Sequence, residues 1–465
     1  MGTISDKLMR IINTKEDIRR ALISKGYDVP TSIPFKEYAK MILDLPCNAD
    51  SFPDIEGIVA RYSALGLTNE QMAENPVWKD LTGNGHDLQM KNFAWKEGSG
   101  ISDVYPGALV FDGVDDWAGC DNLPLLPKEK GYSIIALRNW ITRYDATQYK
   151  RPLISNLGTN DEGAFLIEYR KDENVNDVTG SYNSFTDVYI DDNNPITWQT
   201  SSSYNGQIIK KGTSKSTNKL CICKTYFGQL SNYANASIWE IVILDHDATE
   251  EELTKIKDYF VKTYPWLFPD QAWTVVGKTN EDEDRATIAN ITGNGNDLVC
   301  LNLGFIEGSG YNEEGEYAGY LVTDGVDDKI ISSTFEMGND WTVIGDWELI
   351  NTGKNDNAGI VKFDSIVIYN YNPILINIKN GRNNLIPDQN TVNAICSDGR
   401  IYSKDWKESI YNEETESTSK NLLTIGYSGN IYTKIAFKNL AIYPTVLSKE
   451  DCIKAYNYLQ TLKSK

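Results

Sequence analysis

Along the first 47 residues, apolar side chains recur at helical spacing. Ile4, Leu8, Ile11, Ile18 and Leu22 stand four, three, seven and four apart, which is the stripe of one helix face. Asn13 or Thr14 offers a cap for a second helix, with Glu16 or Asp17 at the capping-box position and Gly26 as a stop. A short helix is predicted from Pro34, carrying Phe35, Tyr38, Ile42 and Leu43 up to Pro46. The stripe also fits a heptad seam with Lys15 as its one lapse, so a coiled coil is an alternative. So small a piece buries little by itself, and the stripe is expected to serve attachment or oligomerisation.

From residue 54 onward the pattern changes to β. Runs at 107–111, 132–136, 164–169 and 219–226 are rich in β-branched and aromatic residues between turn signals. Tyr204-Asn205-Gly206-Gln207 and Ser397-Asp398-Gly399-Arg400 predict hairpins. Strands at 238–244 and 435–442 each precede a helix with an acidic first turn, starting at Thr249 and Ser448.

The β part is written twice. Thr82-Gly83-Asn84-Gly85-His86-Asp87-Leu88 returns as Thr292-Gly293-Asn294-Gly295-Asn296-Asp297-Leu298, an offset of 292 − 82 = 210. Three further stretches return in order. Gly66–Glu70 matches Gly277–Glu281, Glu97–Gly100 matches Glu307–Gly310, and Asp112–Asp116 matches Asp324–Asp328. A period this long excludes a solenoid, whose repeats run roughly 20–50 residues. The expected organisation is a helical segment at 1–47, a linker at 48–53 and two copies of one domain at 54–268 and 269–465. Many short strands with one closing helix describe a β-sandwich.

Composition narrows the partners. A net charge of −20 argues against nucleic acid and against an anionic membrane surface. No apolar run is long enough to span a bilayer, and the first residues lack the apolar core of a secretion signal. Seven cysteines, odd in number and without a C-x-x-C pair, read as reduced thiols; Cys221 and Cys223 are expected to share a strand face.

The order of 80–85, 109–116, Asn-Gly hairpin and closing strand-plus-helix resembles the laminin-G-like, concanavalin A-like jelly roll, over nearly all of 54–465. The second copy departs from that pattern at Asn290, where the first has Asp80, and at Thr323 in place of Phe111. The leader, from Lys15-Glu16-Asp17-Ile18 to Pro34-Phe35-Lys36-Glu37-Tyr38, resembles the short helical leader on structural proteins of tailed phages, crAss-like phages among them.

The chemistry on offer is sparse. Thr82–Gly85 and Asp112–Asp116 carry oxygen ligands suited to a hard cation, and some members of the resembled family bind calcium. Turns need the same residues, neither stretch continues into an EF-hand loop, and no metal ligand set is assigned. Glucanases of this fold place paired carboxylates as Glu-x-Asp-x-Glu or Glu-x-Asp-x-x-Glu; neither run occurs, and no catalytic residue is assigned. Glu281-Asp282-Glu283-Asp284 reads as a solvated surface loop, and His86 and His246 fall in loops or strand ends. Trp95 and Trp117 are the candidate sugar platforms, each with core packing as its other reading. Their counterparts are Phe305 and Lys329, so the two copies are expected to differ in role, with any sugar site in the first.

The resemblance implies a virion protein: a head or tail fibre of a tailed phage, attached through its leader to capsid, portal or tail and displaying its jelly rolls at the virion surface after assembly in the host cytoplasm. Host-surface glycans are the expected ligands, and a homotrimer is the favoured oligomer. A capsule depolymerase and a free bacterial lectin are the competing readings.

Overall fold

The computed structural model describes residues 15, 18–19, 52–126, 131–142, 150–158, 165–170, 186–189, 195–200, 203–204, 207–208, 217–227, 232–350, 359–363, 366–369, 375–378, 382–385, 392–410, 421–428 and 431–464. Of the leader, Lys15, Ile18 and Arg19 are helical and half-buried. Ile4, Leu8, Ile11 and Leu22 lie outside the described residues. The chain divides into two compact units, Met1–Thr263 and Tyr264–Lys465. Both are built from largely antiparallel sheets; in the first unit Thr186–Tyr189 pairs in parallel with Phe165–Arg170.

In the first unit the longest strands, Ser133–Thr142 and Asn235–Leu244, pair at the centre of one sheet. Ile58–Ser63 and Leu109–Asp112 pair on Asn235–Leu244, and Ile196–Thr200 on Ser133–Thr142. The hairpin predicted at 204–207 forms, with Tyr204 opposite Gln207. The second sheet runs from Thr186–Tyr189 through Phe165–Arg170, Lys150–Ser155, Leu220–Ile222, Trp117–Cys120 and Leu88–Lys91 to Val77–Trp78. Period-two alternation, reset by a bulge between Ile238 and Glu240, turns Ile134, Ala136, Ile238, Ile241 and Ile243 of one sheet towards Leu88, Met90, Ile154, Ile167 and Ile222 of the other, and these form one core. This is a β-sandwich.

The second unit repeats the plan. Ile435–Tyr443 and Thr342–Leu349 form the spine of one sheet, flanked by Gln271–Thr274 and Val392–Cys396. The opposing sheet has Lys329–Phe335 beside Asn421–Ile425. Trp273, Trp347, Phe437 and Leu440 meet Leu298, Ile330, Val361 and Ile425 between them. The hairpin predicted at 397–400 joins Val392–Cys396 to Arg400–Ser403.

The closing helices start where their caps dictate. Thr249 Oγ1 accepts from Glu252 N (3.2 Å) while Thr249 N donates back to Glu252 Oε2 (2.8 Å), a reciprocal capping box before Glu250–Thr263. Ser448 Oγ accepts from Asp451 N before Lys449–Leu459. In the first unit an ion pair anchors the helix to the sheet. Arg61 Nε donates to the fully buried Glu240 (2.6 Å), and its Nη2 to Tyr259 Oη of the helix (2.8 Å). The second unit has Ala272 and Asn439 at the matching register positions. Both charges are gone together, as expected where losing one partner would strand the other.

One strand is shorter than its sequence suggests. The run at 219–226 is strand only over Leu220–Ile222, because Cys223 takes a left-handed φ of 56°. Cys221 and Cys223 therefore do not share a strand face. The described cysteines, at 120, 221, 223, 300, 396 and 452, are free thiols and buried. A helix the alternation did not announce, Asn69–Glu74, is capped by Thr68 in the first unit. In the second unit Thr279 instead bonds Asp282 through N and Oγ1, and the stretch closes as turns. No helix among the described residues is long and apolar enough to cross a membrane.

Candidate functional site

The repeated Thr-Gly-Asn-Gly turn is a closed hydrogen-bonded unit in both copies. Asp80 Oδ1 accepts from Arg61 N (3.2 Å), Thr82 N (3.0 Å) and Thr82 Oγ1 (2.7 Å), and Oδ2 accepts from His86 N (3.1 Å). Asn290 reproduces the first set, its Oδ1 accepting from Ala272 N, Thr292 N and Thr292 Oγ1. Its Nδ2 donates to Gly295 O and Gln271 Oε1. Tyr62 Oη ties the first turn through His86 O, and Trp273 Nε1 ties the second through Asn296 O. The second copy therefore keeps the turn with Asn290 in the place of Asp80. The oxygens of this turn serve its own backbone.

The Asp-Gly-Val-Asp-Asp turn is arranged differently. Asp112 Oδ1 accepts from the backbone N–H of Val114, Asp115 and Asp116, and Asp116 Oδ2 accepts from Asp112 N. Asp324 and Asp328 repeat this pattern. Gly113 is required here, since at φ 76° an added Cβ would stand 2.7 Å from Asn235 Cβ. Asp116 is fully buried, and its Oδ1 has no hydrogen-bond partner; Asp328 Oδ1 is in the same state. Burial, reinforced by the carboxylates of Asp112 and Asp115, pushes the Asp116 carboxyl up to about 6, and Asp328 shifts the same way. In each copy the three carboxylates offer oxygens within 4.8 Å of one another. Calcium takes roughly six to eight oxygens, so three carboxylates, two of them accepting hydrogen bonds from their own turn, make an incomplete cage.

Trp117 and Trp95 sit in separate ring clusters. Trp117 is half-buried, edge-on to Phe227 at 5.7 Å between centroids. The Lys224 ammonium lies 4.2 Å from the Trp117 ring centroid and 5.5 Å from that of Tyr233. A β-bridge pairs Lys224 with Tyr233, which puts both side chains on one side. Lys219 Nζ lies 5.0 Å from the Phe227 ring. Burial lowers the Lys224 pKa and raises that of Tyr233. Trp95, in the left-handed region at φ 52°, stacks on Phe93 at 4.8 Å and packs against the core. Its counterpart Phe305 has the same φ and stacks on Tyr311.

The counterpart of Trp117 was expected to lose its ring. The structure shows an exchange instead. Lys329 Nζ stands 5.0 Å from the ring of Tyr427, which packs on Tyr432 at 5.0 Å. The strand that carries the ring in one copy carries the cation in the other, and the partner lies just past the end of the neighbouring strand, Lys224 after Leu220–Ile222 and Tyr427 after Asn421–Ile425. Cation–π attraction is kept while its polarity across the strand pair is inverted. Lys224, Phe227 and Tyr427 were not singled out in the sequence, since each is distant along the chain from the Trp117 or Lys329 it meets.

His246 sits between two carboxylates, with Nδ1 3.2 Å from Asp245 Oδ1 and Nε2 3.1 Å from Glu252 Oε1. Burial alone would lower its pKa; the two carboxylates outweigh that and raise it. Because Glu252 is also the capping-box residue, this cluster closes a helix start. His86 lies in the Thr82–Leu88 turn, its Nδ1 buried without a partner.

No protein-family model matches the chain, and no curated protein matches it in sequence. Solved structures do. They include the ligand-binding domain of botulinum neurotoxin serotype D in complex with N-acetylneuraminic acid, at 9% identity and TM-score 0.32 over 82% of this chain and 96% of that one. Trypanosoma rangeli sialidase matches at 6% identity and TM-score 0.31, over 59% of this chain and 53% of that one. The binding domain of Paraclostridial Mosquitocidal Protein 1 matches at 12% identity and TM-score 0.27, over 40% and 51%. The chain spans about half the length of the sialidase and mosquitocidal chains. At these identities and TM-scores, none of the three decides what this chain binds.

Proposed function

We propose that this chain is a structural appendage of a tailed-phage virion, a head or tail fibre whose outward β-sandwiches meet host-surface glycans. Residues 1–47 attach it to capsid, portal or tail proteins, 48–53 link, and the two sandwiches stand at the virion surface, as a homotrimer assembled in the host cytoplasm. The virion role rests on the resemblance of the leader and of the repeated sandwich. Glycan binding rests on one observation: Trp117 is only half-buried, edge-on to Phe227 and sharing the Lys224 ammonium with Tyr233. Flat rings with polar neighbours bury the C–H face of a sugar while its hydroxyls keep their hydrogen bonds.

The test has two arms. Phage carrying the chain without 1–47 should assemble lacking this protein; normal incorporation refutes the attachment role. The full chain should bind host polysaccharide and leave its length unchanged, and Trp117→Ala should weaken binding by about 1–3 kcal/mol, the range for stacking on an aromatic platform. Shortened polysaccharide would identify a depolymerase instead.

A further inference from the structure

We propose that the first unit selects acidic sugars, with the Lys224 ammonium receiving a sugar carboxylate beside the Trp117 and Tyr233 rings. This inference rests on the glycan reading and names its substrate class. Lys224 is 6% exposed, yet no carboxylate or carbonyl among the described residues bonds its ammonium. The chain carries 65 acidic side chains against 45 basic ones, so carboxylates are plentiful, yet none among the described residues is paired with this cation. Ring faces replace only part of the hydration an ammonium loses on burial, and an anion supplies the rest through a charge-assisted hydrogen bond.

The left-handed turn at Cys223 ends the strand and allows Lys224 to lie over a ring on the neighbouring strand. A second ammonium, Lys219, faces Phe227 and holds Asp121 only at 3.8 Å. Two cations and three rings thus converge, an arrangement that matches a sugar ring bearing a carboxylate. Asp115 opposes them: its charge acts on Tyr233 and would repel the same ligand. The second unit serves as an internal comparison. Its cation, Lys329, is half-exposed and already solvated, so it gains less from an anion.

The experiment titrates the full chain with neutral hexose oligosaccharides, with oligosaccharides of equal length carrying one uronate, and with the methyl ester of the latter. The uronate form should bind about tenfold tighter than the other two, a factor worth about 1.4 kcal/mol. Lys224→Met should remove that preference, so that the uronate binds no more tightly than its methyl ester; Lys224→Arg should keep it, and Asp115→Asn should strengthen it. Equal binding of all three probes, or a preference that survives in a folded Lys224→Met, overturns this inference and leaves the glycan reading standing. If Lys224→Met does not fold, a methyl ester that binds as tightly as the free acid overturns it without any variant. Failure of every probe to bind overturns the glycan reading and this inference with it.

Discussion

Asp116 gives the sharpest quantitative test. Its carboxyl stands at about 6 in the folded chain against an ordinary 3.8, with burial the largest cause. Ionising it therefore costs about 3 kcal/mol more in the fold than in the unfolded chain, at about 1.4 kcal/mol for each pH unit of difference. Because the folded pKa is the higher one, the fold holds a proton between about pH 4 and pH 6 that the unfolded chain has released. Stability from this group is thus greatest in acid and falls as pH rises through 6. Between about pH 4.5 and pH 7.5 the loss is about 2 kcal/mol, less where water around the exposed Asp115 screens the site. Asp116→Asn keeps an oxygen to accept from Asp112 N and cannot ionise. Urea unfolding of the parent and variant full chains at both pH values isolates the term, because the remaining titrating groups are common to both. The variant should gain about 2 kcal/mol on the parent between pH 4.5 and pH 7.5. A difference that does not change with pH would refute the reasoning, and Asp328→Asn offers the same comparison in the second unit.

Arg61→Met should cost about 3 kcal/mol in urea unfolding, since it leaves Glu240 charged and buried, and adding Glu240→Leu should restore most of it; a double variant no more stable than the single would show that the pair is not the cause. His246, held above its ordinary pKa by Asp245 and Glu252, should contribute stability that is complete below the unfolded imidazole pKa and lost as pH rises through the folded one. His246→Gln should abolish that change in melting temperature, and an unaltered pH profile would count against it. Asn439, fully buried with neither side-chain atom bonded, should tolerate Asn439→Leu with a gain of about 1–3 kcal/mol, and a destabilised variant would reveal an unseen polar partner.

Local signals in the sequence were sufficient for much of the fold. Apolar, β-branched runs marked spine strands at 238–244 and 435–442, which form as Asn235–Leu244 and Ile435–Tyr443; Asn-Gly and Asp-Gly marked two hairpins, and Thr249 and Ser448 marked two helix starts. The repeat was legible because turns demand particular residues: Gly113 and Gly325 both hold positive φ in the same loop. What a side chain meets across the sandwich is different, since no local rule encodes it. Tyr62 and Trp273 do one job with different rings, and Asn290 keeps the acceptor role of Asp80, which a comparison of letters reads as loss. Trp117 and Lys329 look like ring against charge at one aligned position. Only strand pairing shows that each has its complement, Lys224 or Tyr427, just past the end of the neighbouring strand. Turn and cap chemistry acts within a few residues, so the chain alone determined it. Cation–π contact, ion pairing and burial act through space between residues far apart along the chain, so tertiary structure decided those.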